Sequence, residues 1–335
     1  MRQIVFVKNG YDPFIDFIKA YAIICVLIGH TIPYSELWGY GLWAGMQVPL
    51  FILIQSFHFF KREANSVSIK KIFNRVLLPF LVVEILTLLI ALLFKIEGGG
   101  KSLIHNAFIY AGLGPGSYYP WIYLQVAVVL PFFLKWFKRI KFVWLLTIML
   151  LLSEGLEVLC SISNVPEVIY RLLAVRYVFL VFLGWLWVKK GVKLSPLTIL
   201  LSILSLLAIV YFEYFSVNDE PWFFTTGWKY HRWPCYFWVS SGIVYILNCL
   251  WNCVKKSKKI TDCVRILAKS SYEIFLVQMS FIYLFNKNSL YFFDNKYLSF
   301  FLWLVIVWFV SILGGVYFNK LYDKIKNFKS CIKTS

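Results

Sequence analysis

A lysine and a histidine, Lys19 and His30, lie in the first strongly apolar segment of the chain, 14–32. Eleven residues make three helical turns plus about 20°, so both side chains project from one helix face, about 16 Å apart along its axis. An imidazole can take a proton from a hydroxyl at neutral pH and return it. Because both groups are costly to desolvate, the pair indicates a pathway or a reaction centre facing the protein interior.

Each of these two residues also has a simpler interpretation. His30 lies near one end of its segment, where an imidazole can rest among lipid headgroups. Lys19 can extend toward the opposite membrane surface, or pair with Asp16 three residues earlier. The residues alone leave both interpretations open.

Further charged residues lie inside apolar segments, and Glu84 and Arg176 lie deepest among them. A charge at that depth needs a partner or a wet cavity. The two could pair with each other, bind a substrate, or belong to structural ion pairs inside the bundle. The other members of this group are Glu154, Glu157, Arg171, Glu213 and Glu273.

A basic segment, 61–75, leads into the third apolar stretch. Lys71 and Arg75 are four residues apart and share a helix face, an arrangement that suits the phosphates of a nucleotide-like ligand. Charges that only set membrane topology have the same pattern.

A turn-rich segment, 112–121, contains glycines, prolines and then the rings of Tyr118, Tyr119 and Trp121. Glycine and proline favour a fixed irregular backbone. The rings suit either the headgroup region of a membrane or stacking on a sugar. A second loop, 218–233, has a similar mixture of acidic and aromatic residues.

The composition shows what must position these residues. The chain is 60% hydrophobic and 15% charged, with a mean hydropathy of +0.72, whereas soluble domains carry about 25% charged residues. Apolar stretches of about 20 residues predict an all-α, polytopic membrane bundle of about ten spans. These predicted spans are 14–32, 41–60, 76–95, 118–134, 142–161, 171–188, 195–215, 234–254, 266–286 and 298–318.

The net charge of +18 is spread over short clusters between the spans and forms no single stripe, so nucleic acid is not predicted as a partner. With the N-terminus inside, 24 lysines and arginines fall in inside segments and five in outside segments. The positive-inside rule therefore predicts that both termini are cytoplasmic. We expect one membrane domain over 1–335, no cleavable signal peptide and no metal site.

Several of these landmarks, in the same order, resemble the acyltransferase family 3 membrane O-acyltransferases. The first is the acidic residue, basic residue and histidine at Asp16, Lys19 and His30, where the family has arginine instead of lysine. The others are the segments 48–51 (Val-Pro-Leu-Phe), 75–79 (Arg-Val-Leu-Leu-Pro), 114–121 and 270–278. Two departures are Gln278, at a frequent histidine position, and Lys71 with Arg75 in place of an arginine pair three apart.

The resemblance implies transfer of an acyl group, usually acetyl, from cytoplasmic acyl-coenzyme A to a hydroxyl of a surface glycan or a lipid-linked sugar. The implied catalytic residues are His30, Lys19 and Asp16, and the implied donor-binding residues are Lys19, Lys71 and Arg75. We assign the acceptor side to Glu84, Tyr118, Tyr119, Trp121 and Arg176. The implied location is the bacterial inner membrane, in contact with membrane lipid, with acyl-coenzyme A as a co-substrate and no tightly bound cofactor.

Two other functions fit the same residues. A glycan or lipid transporter would use Glu84, Arg176 and His30 to line a polar path. A structural partner of a glycan-assembly complex would tolerate substitution of all these charges.

Overall fold

A computed structural model describes residues 3–4, 6, 11–32, 38–62, 69–96, 104–105, 107, 109, 111–166, 169–170, 172–193, 195–215, 232–285 and 295–332. Within these residues the fold is all-α apart from two two-residue strands, β1 (Gln3–Ile4) and β2 (Val192–Lys193), which pair antiparallel. The helices are α1 (Pro13–Thr31), α2 (Tyr40–Trp43), α3 (Gln47–Lys61), α4 (Ile69–Ile72), α5 (Leu78–Leu93), α6 (Tyr119–Arg139), α7 (Phe142–Ile162), α8 (Val178–Lys190), α9 (Pro196–Val210), α10 (Val244–Val254), α11 (Lys258–Lys269), α12 (Ser271–Leu284) and α13 (Lys296–Ile332).

Eight helical segments of the described chain are long and apolar enough to cross a membrane, so the protein is a multi-pass membrane protein. They are Pro13–Thr31, Tyr40–Lys61, Lys70–Leu93, Tyr119–Arg139, Phe142–Cys160, Pro196–Phe215, Trp233–Val254 and Tyr297–Ile325. The prediction of ten spans included two more, 171–188 and 266–286. These coincide with α8 and α12, which have 13 and 14 residues. At 1.5 Å per residue each extends only about 20 Å, so the count of ten stays a prediction.

Local breaks in the helical backbone explain why these two helices are short. A 3₁₀ turn, Ala174–Tyr177, precedes α8, and a break at Ser270 separates α11 from α12. A window that averages hydropathy over about 20 residues does not detect such changes in backbone conformation.

Helix α1 lies at the centre of the bundle. Asp12 begins it by accepting the Phe14 N–H at 3.0 Å, and Pro13 occupies its first turn. Near its end the Thr31 hydroxyl donates to the Leu27 carbonyl at 2.6 Å. The helix packs against α3, α11 and α12. Its polar side chains are therefore enclosed by protein, as the site prediction requires.

Small residues allow the closest helix contacts. A Cβ at Gly184 of α8 would lie 2.7 Å from Ser56 Cβ and 3.0 Å from the Leu53 carbonyl oxygen of α3. A Cβ at Gly315 of α13 would overlap the backbone of Ile274 in α12. Close approach of this kind is a usual way of packing membrane helices. It fixes α3 and α12, which form two walls of the site.

Lipid-facing surface is concentrated on outer helices such as α5. Ile85, Leu86 and Leu89 there are each more than half exposed. The start of α1 and the end of α13 lie at one end of the bundle, since Lys19 is close enough to Arg75 for their charges to interact and the Tyr322 hydroxyl donates to the Asn74 carbonyl. That this end is cytoplasmic remains a prediction.

Candidate functional site

A cavity of about 710 Å³ runs along α1 inside the bundle. Its lining includes Lys19 at one end and His30 at the other, so it connects the two polar residues of the first helix. One face of α3, the segment 112–119 and parts of α11 and α12 form the remaining walls. The predicted stripe on α1 therefore faces an interior space rather than lipid.

His30 lies in the last turn of α1, with its ring against the segment 112–119. A Cβ at Gly116 would lie 3.3 Å from His30 Cε1, and Gly116 has a φ of +87°, which disfavours other residues. His30 Nδ1 is buried and has no hydrogen-bond partner among the described residues. Gln278 of α12 lies close enough to interact with the imidazole, and its Nε2 donates to the Leu27 carbonyl at 3.5 Å. Packing against the segment 112–119 thus restrains the ring, and Nδ1 is available to a substrate.

Glu84 and Trp121 hold the turn-rich segment against the bundle. Glu84 Oε2 accepts the Leu113 N–H at 2.8 Å, and the Trp121 indole N–H donates to the Ala111 carbonyl at 2.7 Å. Gly114 packs so tightly on α12 that a Cβ there would lie 2.5 Å from the Met279 carbonyl oxygen. These contacts fix the wall beside His30.

The residues predicted to contact the acceptor divide into two groups. Tyr118 and Tyr119 line the cavity, whereas Glu84, Trp121 and Arg176 are not part of its lining in the described structure. Glu84 and Arg176 do not pair with each other there. Glu84 binds Leu113, and the Arg176 guanidinium lies over the rings of Tyr170 and Tyr177, at 4.8 and 5.4 Å from their centroids.

Arg176 belongs to a second buried polar cluster. Tyr236 donates its hydroxyl to the Arg176 carbonyl at 3.1 Å. Nearby, Arg232 Nε lies 3.1 Å from Glu157 Oε1, and both side chains are almost fully buried. Two predicted features lie outside the described residues, namely Arg171 and positions 218–231 of the second loop.

At the opposite end of the cavity Lys19 is held by an acidic neighbour. Lys19 Nζ lies 3.8 Å from Asp16 Oδ1, and the Tyr11 hydroxyl donates to Asp16 Oδ2 at 2.7 Å. Partial burial and the adjacent carboxylate raise the pKa of Tyr11 to about 12, so its hydroxyl stays protonated. Asp16 therefore orients the lysine, while Lys19 itself lines the cavity.

Arg75 lines the same end of the cavity and is half exposed. Its Nη1 lies 3.6 Å from Oε1 of Glu273, a carboxylate whose side chain is only 1% exposed. The predicted neighbour Lys71 is an exposed residue of α4 and is not part of the cavity lining. Lys269 of α11 adds a further cationic side chain to this end, and the charge pattern gave no signal for it.

Sequence reasoning also missed the polar face of α3. Gln47, Gln55 and His58 line the cavity opposite α1. Gln55 and His58 follow Gln47 by eight and eleven residues in the same helix. At 100° per residue, the three side chains therefore lie within an arc of about 80° around the helix axis. The signal in the sequence was a set of polar side chains inside a predicted span, and their spacing could have revealed that they share one helix face.

Comparison with protein families agrees with this arrangement. Searches of curated proteins and of solved structures gave no match to the chain. A family model described as an acyltransferase domain, of the acyltransferase 3 type, matches residues 12–320. The match begins just before α1 and ends within α13, so it includes every wall of the cavity. The protein therefore belongs to the acyltransferase 3 family.

Proposed function

We propose that this membrane acyltransferase moves an acyl group, most simply acetyl, from acyl-coenzyme A to a hydroxyl of a surface glycan or its lipid-linked precursor in the bacterial inner membrane. The observation that carries the proposal is the cavity joining Lys19 and Arg75 at one end to His30 at the other. Both reactants can reach a single imidazole through it.

The basic end suits the donor. Coenzyme A carries phosphates, and the ammonium groups of Lys19 and Lys269 with the Arg75 guanidinium would bind them by charge-assisted hydrogen bonds. Lys71, exposed nearby, would add long-range attraction only. About 16 Å separates Lys19 from His30 along the helix, which an extended pantetheine arm can span. The thioester would then lie beside the imidazole.

His30 would supply the acid–base chemistry. One imidazole nitrogen takes the proton from the acceptor hydroxyl while the oxygen attacks the thioester carbonyl. The carbon–sulfur bond breaks, and the imidazolium returns the proton to the departing thiolate. The products are the glycan ester and free coenzyme A. Tyr118 and Tyr119, which line the cavity with His30, would contact the sugar. Arg176, outside the lining but near Tyr118, would support that wall of the cavity through its charge.

The test is the ester content of the glycans. Membrane vesicles from cells producing the chain are incubated with radiolabelled acetyl-coenzyme A, and surface and lipid-linked glycans are analysed by mass spectrometry. We expect a mass increase of one acetyl group that is lost in His30→Ala while the protein remains in the membrane. Retained acetylation in that variant would exclude His30 as the acid–base group.

A deletion strain tests the transporter alternative, for which the cavity between Lys19 and His30 would be part of a path. Deletion of the gene should remove the ester and leave glycan length and export unchanged. Accumulation of unexported precursor, with no change in ester content, would instead identify a transporter.

A further inference from the structure

The wall of the cavity formed by α3 carries polar atoms that the protein itself does not use. Gln55 Nε2 donates to the Tyr123 carbonyl at 2.9 Å, which fixes the amide. Its Oε1 is buried without a hydrogen-bond partner in the described residues, and so is His58 Nε2. Gln55 is only 9% exposed, and both residues line the cavity. Buried polar atoms of this kind are costly unless a ligand or water satisfies them.

The position of these atoms matches the middle of the donor path. His58 is near enough to Lys19 for their charges to interact, so it lies at the basic end. Gln55 precedes it by three residues, about 4.5 Å deeper along α3. Gln47, at the far end of α3, donates to the Tyr40 hydroxyl at 3.2 Å, and its Oε1 is also buried without a partner among the described residues. Gln55 Oε1 and His58 Nε2 therefore lie nearer the phosphate-binding end than Gln47 does, along the path from that end to His30.

A pantetheine arm carries two amide groups in this part of its length. A peptide residue advances about 3.5 Å when extended, and the β-alanine unit between these amides has one more methylene, so they repeat at roughly 5 Å. This repeat is close to the rise between Gln55 and His58. An amide offers both an N–H and a carbonyl to such a wall. A phosphate or a bare acyl chain offers no such pair.

We propose that Gln55 and His58 form an amide-binding site for the pantetheine arm of the acyl donor. Gln55 Oε1 accepts the N–H of one amide, and the His58 Nε2–H donates to the carbonyl oxygen of the neighbouring amide. The inference rests on the proposed function, because it assumes that the donor is a coenzyme A thioester. It adds that the enzyme selects its donor by the arm, so that short thioesters without the two amides are poor donors.

The test measures binding of coenzyme A to the purified full-length protein by titration calorimetry. Two analogues are compared with it, each with one amide N–H replaced by an ester oxygen. In the wild-type protein one analogue should bind roughly tenfold more weakly, since it leaves Gln55 Oε1 unsatisfied. In Gln55→Met that analogue and coenzyme A should bind equally, because the acceptor atom is gone. His58→Leu should weaken coenzyme A and both analogues alike, and His58→Asn should restore part of the affinity.

Gln125→Met is the matched control. Gln125 uses both ends of its amide within the protein, donating to the Leu172 carbonyl at 2.6 Å and accepting the Ala174 N–H at 3.1 Å. Gln125→Met can affect stability, but the ratio of the affinities for coenzyme A and for the weaker analogue should stay as in the wild type. Equal binding of coenzyme A and both analogues to the wild type, or a penalty that persists in Gln55→Met, would overturn the amide site alone. A wild-type protein that binds no coenzyme A would overturn the proposed donor as well.

Discussion

Replacement of Gly116 by alanine tests whether the segment 112–119 sets the position of the catalytic ring. Gly116 has a φ of +87°, and an added Cβ would lie 2.8 Å from Phe275 Cε2 and 3.3 Å from His30 Cε1. Carbon atoms pack best at about 3.5–4.0 Å, so the segment or the phenyl ring must move by about 0.7 Å. The left-handed backbone costs a non-glycine residue about 1–2 kcal/mol more.

A displacement of this size beside a reacting group lowers the rate of the reaction. A misplacement of about 1 Å can lower a rate about 100-fold, so we expect kcat for acyl transfer to fall between about 10-fold and 100-fold. Coenzyme A affinity should change little, because the basic end lies about 16 Å away along α1. The assay is acetyl transfer in vesicles with titration of coenzyme A on the same purified variant.

Gly155→Ala is the control for this experiment. Gly155 lies in α7, and apart from its chain neighbours and the nearby backbone of its own helix no atom lies within 4 Å of a Cβ built there. The substitution should leave kcat unchanged. Wild-type kcat in Gly116→Ala would refute the idea that this segment fixes His30. An equal loss of kcat in both variants would show a general effect of the added methyl group.

Two further predictions concern the basic end. Lys19→Met should raise the donor KM about tenfold, with a smaller effect on kcat. Lys19→Arg should restore the KM, because either cation can bind a phosphate beside Asp16. An unchanged KM in Lys19→Met would exclude this contact. Glu273→Gln should strengthen coenzyme A binding about threefold at low salt, since it releases the half-exposed Arg75 from its carboxylate partner. Titration at two salt concentrations checks this, and weaker binding would show instead that Glu273 holds Arg75 in its binding position.

Much of the site could be predicted because it lies on one helix. The 11-residue spacing of Lys19 and His30 fixes their shared face once the segment is helical, and the apolar composition requires a helix in a membrane. The irregular backbone of 112–118 was also predictable from its glycines and Pro115. In the same way, the family landmarks anticipated the acyltransferase family that the comparison shows.

Contacts between segments distant in the chain were not predictable in this way. Glu84, for which a substrate contact stays a prediction, accepts the Leu113 N–H, because the path of 112–117 brings that group to the carboxylate. Arg75, for which phosphate binding stays a prediction, has a partner in Glu273, which comes from a helix almost two hundred residues later. Periodicity describes one helix at a time and contains no information on such pairings.

The sequence by itself determined that this protein is a helical membrane protein whose first helix carries a basic residue and an imidazole on one face. Only the tertiary structure decided which side chains and which cavity that face contacts. The register of α3 against α1 places Gln55 and His58 across the cavity from Lys19 and His30, and the packing of 112–119 closes the cavity beside the imidazole. The physical reason is that a side chain's direction follows from local helix geometry, whereas its partners follow from how helices pack in three dimensions.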